Sequence, residues 1–480
     1  MLLPPSGRVY SRAAVGATTI RCVSPSSRYS EVETDPTAIR RRFPGDFSWG
    51  VAASAYQIEG AVTEDGRGPS IWDTFSRVPG AIANGDTGDV ACDHYHRYPE
   101  DVRLMAEIGV SAYRFSVSWP RIMPSGTGKA NARGLDFYRR LVDELRAAGV
   151  EPLINLFHWD LPQALQDRGG FANPEIVAQF ADYSHVVALA LADSVADWMT
   201  FNEPGVFAFL AHADGIHAPG LRHWPTAIRV ADNQLRAHAL ASEAVRAAVS
   251  GARIGVAVDV NHFVPATGSE RDRRAAEEYR VTRDTWFLDP LFGRGYPAAG
   301  VAAHDAAGHL EGVELSAPPD GRLDYLGLNY YRQETIHADS DEPFDWHVAP
   351  PRGAELTEME WEVVPEGLYE ALTWLHREYA PREIVISENG AAYPDPVAAD
   401  GVVHDQDRLR YLARHLHAAA DALDEGVPLS GYFVWSLLDN FEWSLGYGKR
   451  FGMVHVDFET QRRTLKDSGR WYQSLVRSGR

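Results

Sequence analysis

The chain has 480 residues, 45% hydrophobic and 23% charged, a balance that excludes wholesale disorder and allows a large buried core. Its 66 acidic against 46 basic side chains leave a formal net charge of −20, which argues against nucleic acid or an anionic membrane surface as a partner. Cys22 and Cys92 are too few for a disulfide framework, so a reducing, cytoplasmic setting is the simpler reading, and no apolar run approaches the ~20 residues that span a bilayer.

Residues 1–42 stand apart, rich in Ser, Pro and Arg and without a hydrophobic period. Arg8, Arg12, Arg21 and Arg28 precede any acidic residue, as they would in a transit peptide. The missing apolar period instead reads as a disordered extension, with one catalytic domain over 43–480.

From Phe43 onward, apolar segments of strand length alternate with longer segments of helical period. The predicted strands are Trp49 to Ala53, Ala112 to Val117, Pro152 to Phe157, Trp198 to Asn202, Ile254 to Val260, Tyr325 to Tyr330, Ile384 to Glu388 and Tyr432 to Leu437. Between them lie predicted helices, including Leu135 to Ala148, Pro174 to Ala192, Glu366 to Tyr379 and Gln406 to Glu425. Strands alternating with crossover helices describe an α/β chain, a single (β/α)8 TIM barrel with long loops after the strands. A doubly wound nucleotide-binding sheet is the rival. No strand leads into a Gly-x-Gly-x-x-Gly turn, and Gly126-Thr127-Gly128-Lys129-Ala130 lacks the first glycine and the Ser/Thr of a P-loop.

The strand ends carry polar and aromatic residues that a barrel gathers at one mouth: Gln57 and Glu59, Arg114 with Trp119, His158-Trp159-Asp160, Asn202-Glu203-Pro204, Asn329-Tyr330-Tyr331, Glu388-Asn389, and Trp435 with Glu442-Trp443. Carboxylates, amides and a histidine among tryptophans suit a sugar, whose hydroxyls need hydrogen bonds and whose C–H faces need apolar platforms. Glycoside cleavage needs two carboxyl groups in different protonation states. Glu203 and Glu388 each close an apolar run and form the natural pair. Taken singly, either could be a structural ion-pair member.

Trp198-Met199-Thr200-Phe201-Asn202-Glu203-Pro204 resembles the acid/base motif of family 1 glycoside hydrolases, and Ile386-Ser387-Glu388-Asn389-Gly390 resembles their nucleophile motif. The resemblance runs from Phe43 to Tyr472, through Phe47-Ser48-Trp49-Gly50, Tyr113-Arg114-Phe115-Ser116, Trp435 to Trp443 and Lys449-Arg450-Phe451-Gly452. It implies a retaining β-glucosidase that uses no cofactor and no metal, acting on small β-glycosides or cello-oligosaccharides. Broader glycone preference, transglycosylation and a catalytically silent sugar-binding protein are the alternatives.

Carried over by position, the resemblance makes Glu203 the acid/base and Glu388 the nucleophile, with Arg114 and Tyr331 touching Glu388. Gln57, His158, Asn202, Glu442 and Trp443 would bind glycone hydroxyls, Trp435 would be the glycone platform, and Trp361 would stack on the leaving group. Three positions depart from the family pattern: Phe171 and Ser387, where Trp and Thr are usual, and Glu360, where Gly usually precedes the tryptophan. The segment Cys92-Asp93-His94-Tyr95-His96 gathers potential metal ligands but is read as structural.

Overall fold

The computed structural model describes residues 28–29, 31–316 and 322–479. Parallel strands close on themselves into a barrel: β1 (Ser48–Ala53), β2 (Ala112–Ser116), β3 (Glu151–Phe157), β4 (Asp197–Asn202), β5 (Arg253–Asp259), β6 (Tyr325–Asn329), β7 (Ile384–Asn389) and β8 (Leu429–Trp435). Each lies beside its chain neighbour, and β8 returns to β1 in a register running from Ser48 opposite Gly431 to Ala52 opposite Trp435. The crossover helices are α1 (His94–Ile108), α2 (Ala132–Ala147), α3 (Ile176–Leu191), α4 (Trp224–Ala248), α5 (Glu270–Leu291), α6 (Pro365–Tyr379) and α7 (Gln406–Asp424), and α8 (Asp467–Arg477) follows the last strand. This is the TIM barrel that the alternation of elements predicts.

A parallel sheet covered on both faces must be apolar on both. Along β8, Phe433 and Trp435 join Ala52, Leu153, Met199 and Tyr325 inside the barrel, while Tyr432 and Val434 enter the layer beneath the helices. Glycines make room for the large inner side chains. A Cβ on Gly50 would lie 2.3 Å from the Phe433 ring, and one on Gly255 or Gly327 would lie 2.7 Å from Tyr325 or Met199. The outer helices meet this barrel with one apolar stripe each; on α2 it is Phe137, Tyr138, Leu141, Val142 and Leu145.

The eighth strand begins at Leu429, ahead of the predicted Tyr432. Ser430-Gly431 looks like a turn in sequence, yet Gly431 pairs with Ser48, where a Cβ would come within 3.1 Å of the serine's own. Above the mouth, the long loops carry a small sheet that the sequence reading lacks. It comprises His262–Pro265, Gln333–Ala338 and Trp346–Val348. Among the described residues, no helix is long and apolar enough to cross a membrane.

The predicted boundary at residue 43 is corrected. Residues 1–27 and Cys22 with them lie outside the described residues, but much of the segment just before Phe43 is packed against the barrel. Pro36–Arg40 is helical, with Ile39 fully buried and the Asp35 side chain capping Thr37 N–H. Tyr29 donates to Asp421 at 2.7 Å, Arg42 pairs with Asp421 at 2.8 Å and Asp424 at 2.5 Å, and the Trp471 indole donates to the Thr34 carbonyl at 2.7 Å. Beside the buried Ile39 the anchoring contacts are polar and come from α7 and α8, hundreds of residues away in sequence, so no local hydrophobic period announces them. A chain starting at residue 43 should therefore melt several degrees below one starting at residue 28, as read by differential scanning calorimetry. A loss of one fully buried Ile and several anchoring contacts is worth about 2–5 kcal/mol. Equal melting temperatures would return the segment to an idle extension.

Candidate active site

Each candidate carboxyl is aimed by local backbone geometry. Glu203 follows the buried β4 residues Trp198, Met199 and Phe201 and adopts a left-handed conformation, φ 45° and ψ 65°, before Pro204 opens the helix Pro204–His212. A non-glycine residue pays roughly 1–2 kcal/mol for that conformation. It turns the chain sharply from strand into helix, and the Glu203 N–H is fixed by donating to Ala257 C=O at 2.8 Å. Glu388 lies within β7, opposite Asn329 of β6. Gly390 follows because an added Cβ would sit 1.8 Å from the Trp435 carbonyl oxygen.

One network ties the pair together. Arg114 Nη1 donates to Glu388 Oε1 at 2.5 Å and its Nη2 to Asn202 Oδ1 at 2.6 Å, while Tyr331 donates to Glu388 Oε2 at 2.6 Å. Asn329 Nδ2 donates to Glu203 Oε1 at 2.7 Å and to Asn202 Oδ1 at 3.1 Å. The Ser387 hydroxyl holds the other end of that amide, donating to Asn329 Oδ1 at 2.7 Å.

The electrostatics are unequal. Burial raises the Glu388 carboxyl above its ordinary range, and the Arg114 cation and the Tyr331 hydroxyl oppose this. Glu203 is driven well above its range, first by burial and then by the charges of Glu388 and Asp259, with the Asn329 amide among the few groups opposing the rise. A proton on the pair therefore sits on Glu203.

Both carboxyls line a cavity of about 380 Å³ that also exposes His158, Asn202, Trp435, Glu442 and Trp443. His158 stacks between the two tryptophans, 5.8 Å from each ring. Burial and the Arg114 charge keep its imidazole well below the usual range, hence neutral. Burial and the Glu388 charge push Glu442 up to about 8. The loop bearing Glu442 is fixed from below by Asp439, which accepts from Lys466 at 2.7 Å, Arg450 at 2.6 Å and Gly452 N–H at 3.0 Å.

Of the sequence-predicted residues, Gln57 and Arg114 lie off the cavity wall. Gln57 is fully buried, and its amide donates to Asn440 at 3.0 Å and the Phe441 carbonyl at 2.8 Å, reaching Glu442 Oε2 only at 3.5 Å. Arg114 is also fully buried and lies behind Glu388. Trp361 lines the cavity beside Tyr331 and Phe451, its indole under the Arg332 guanidinium at 4.5 Å. The Cys92 segment faces elsewhere: Cys92 Sγ lies 3.0 Å from the Asp439 carbonyl and His94 pairs with Asp101 at 2.7 Å.

The sequence gathers Asn329 at the mouth with Tyr330 and Tyr331 but assigns it no role of its own, and it assigns none to Asp259, which falls within the predicted fifth strand.

This chain matches the sequence signature of Glycosyl hydrolase family 1 over residues 39–480. It is 47% identical to beta-glucosidase A of Thermotoga maritima, covering 91% of this chain and 98% of that one. It is 45% identical to the 1,4-beta-D-glucan glucohydrolase of Thermotoga neapolitana, covering 91% and 99%. The solved structure of the Thermotoga maritima enzyme in complex with glucoimidazole superposes with a TM-score of 0.87 at 47% identity over 91% of this chain and 99% of that one.

Because the Glu388 charge is one cause of the raised Glu203 pKa, Glu388→Gln should lower the titration midpoint of Glu203, followed by carbon-13 NMR of labelled carboxyls. Removing a negative neighbour makes ionisation easier, so the shift must be downward. An unchanged midpoint would uncouple the two groups.

Proposed function

The chain belongs to glycosyl hydrolase family 1, and from that premise we propose that it is a β-glucosidase, releasing terminal nonreducing β-D-glucosyl residues from β-glycosides and cello-oligosaccharides with retention of configuration. The observation that carries this reading is the inequality of two carboxyls in one cavity. Glu388 has a cation and a phenol donor, whereas Glu203 has a neutral amide and two negative neighbours.

Glu388 attacks the anomeric carbon while Glu203 gives its proton to the departing glycosidic oxygen. In the resulting ester Glu388 is neutral, so the charge that raised Glu203 is gone. Glu203, now a carboxylate, takes a proton from a water that attacks the anomeric carbon; the bond from that carbon to Glu388 breaks, the Glu388 carboxylate is regenerated and the β-anomer is released. Asn202 would meet the 2-hydroxyl, since its oxygen is occupied by Arg114 and Asn329 and its Nδ2 faces His158 at 3.1 Å. Glu442 accepts from two neighbouring hydroxyls, whose donation favours its ionised form and opposes the burial and the Glu388 charge that push it up to about 8. Trp435 and Trp443 supply the apolar faces, and Trp361 the leaving-group platform. A cytoplasmic location is consistent with the sparse cysteines, and Cys92 is buried as a free thiol.

The two carboxylate roles make opposite demands on an added nucleophile. Glu388→Gly should lose about 10⁴-fold or more on every β-glucoside, and external azide should give the α-glycosyl azide. Glu203→Ala should still form the ester from an activated aryl glucoside and release the β-glycosyl azide. Proton NMR of the products decides, and swapped configurations would reverse the assignments. Glu442→Ala should impair glucosides and galactosides by different factors, because a contact to the 4-hydroxyl must feel its orientation. Equal losses in kcat/KM would remove Glu442 from the glycone site.

A further inference from the structure

Glu388 reaches the cavity through an irregularity in its strand. Along β7, Val385 lies inside the barrel and Ile386 beneath the helices, so strict alternation would bring Ser387 inside and turn Glu388 outward. The register carries one residue more than that. Ile386 lies opposite Leu328 and Glu388 opposite Asn329 on β6, while Ile386 and Asn389 lie opposite Tyr432 and Val434 on β8. The extra residue makes a bulge at Ser387, a feature that re-aims neighbouring side chains. Ser387 and Glu388 then both reach groups of the site.

What Ser387 does there follows from donor and acceptor polarity. Arg114 has only donors, and its Nη2 donates to Asn202 Oδ1. Asn202 therefore presents an acceptor to Asn329, whose Nδ2 donates to it at 3.1 Å and to Glu203 Oε1 at 2.7 Å. With both amide protons placed, the Asn329 oxygen is turned to β7, where the Ser387 hydroxyl donates to it at 2.7 Å. All three side chains are buried, and a Cβ added to Gly327 would come within 2.8 Å of Ser387 Oγ. A buried amide oxygen without its donor is costly. The serine hydroxyl is thus the fixed end of a chain of bonds that runs through Asn329 to Glu203 and through Asn202 and Arg114 to Glu388.

We propose that Ser387 is a positioning residue of the reaction, its hydroxyl locking the Asn329 amide in the orientation that donates to the acid/base Glu203. Ser387 acts through Asn329 and lies off the cavity wall. The role rests on the β-glucosidase reading, which makes Glu203 the acid/base. The Asn329 amide favours the ionised form of Glu203 and of Glu388, so loosening it must move their titration upward. Glu388, Asp259, Arg114 and Tyr331 also face Glu203 and stay in place when Ser387 is changed.

The test compares Ser387→Ala with Ser387→Thr in the full chain, by the pH dependence of kcat/KM for cellobiose and by carbon-13 NMR of labelled carboxyls. In Ser387→Ala the Glu203 midpoint and the basic limb of the profile should both rise by about half to one pH unit, the worth of one hydrogen bond expressed as a titration shift. Ser387→Thr restores the hydroxyl and should return both to their wild-type positions. A side chain that merely fills space would lower the melting temperature and move neither, and that result would overturn the proposal, as would a threonine variant that titrates like the alanine one. Should the alanine variant fail to fold, Ser387→Cys keeps a similar shape with a weak donor and should show the same upward shift. Wild-type protein inactive on cellobiose and aryl β-glucosides would sink the β-glucosidase reading itself, and the NMR midpoint would still decide whether Ser387 acts on Glu203.

Discussion

The buried contact between Arg114 and Glu388 is the constraint on which the rest depends. The guanidinium is fully buried and the carboxylate 4% exposed, so removing these charges from water carries a penalty of several kcal/mol per ion that their attraction alone does not reliably offset. The pair persists because the barrel holds it. Arg114 stands on β2 and Glu388 on β7, and only closure of the sheet brings them together. The inner cluster of Leu153, Met199, Tyr325 and Phe433 beneath supplies the rigid floor. The cost of burying the pair is thus carried by the fold, and its product is a carboxylate with both oxygens already engaged and aimed.

Charge at Glu388 then organises its surroundings. After burial, which is the larger cause, it raises Glu203 and Glu442, two carboxyls that face the same cavity. Asn329 and Asn202 link Glu203 to Arg114, and so to Glu388, through neutral amides, which orient without adding charge. The site therefore stores its proton on one side and its negative charge on the other before any ligand enters. On the proposed mechanism, consuming that charge in an ester removes one cause of the raised Glu203 pKa.

Much of this was legible in the sequence because it is written locally. Apolar runs ending in Glu203 and Glu388 mark strand ends, and helical periods between them mark crossovers. The departures from family pattern also have local explanations. Phe171 packs fully buried among Phe157, Phe180, Phe201 and Phe207, where an aromatic ring is what matters. Ser387 acts through a hydroxyl that threonine would equally supply. Glu360 is exposed at φ 61°, a conformation that glycine adopts without strain. What escaped the sequence depends on long-range polar contacts. The anchoring of Arg42 to α7, the clamp of Lys466 and Arg450 on Asp439, and the bridging amide of Asn329 leave no hydrophobic period and become visible only when distant segments meet. Gln57 shows the converse, a residue expected at the mouth whose amide lies off the cavity wall, bonded to the loop that carries Glu442.

The central claim is that Glu388 is a preorganised anionic nucleophile, and covalent trapping tests it most directly. A glucoside with fluorine in place of the 2-hydroxyl and a dinitrophenolate leaving group slows both steps by destabilising positive charge at the anomeric carbon, but its good leaving group lets the first step proceed. The glycosyl-enzyme should accumulate. Digestion and tandem mass spectrometry should then find the fluoroglucosyl mass on Glu388. A label on another residue, or turnover of natural β-glucosides with no adduct formed, would contradict the account.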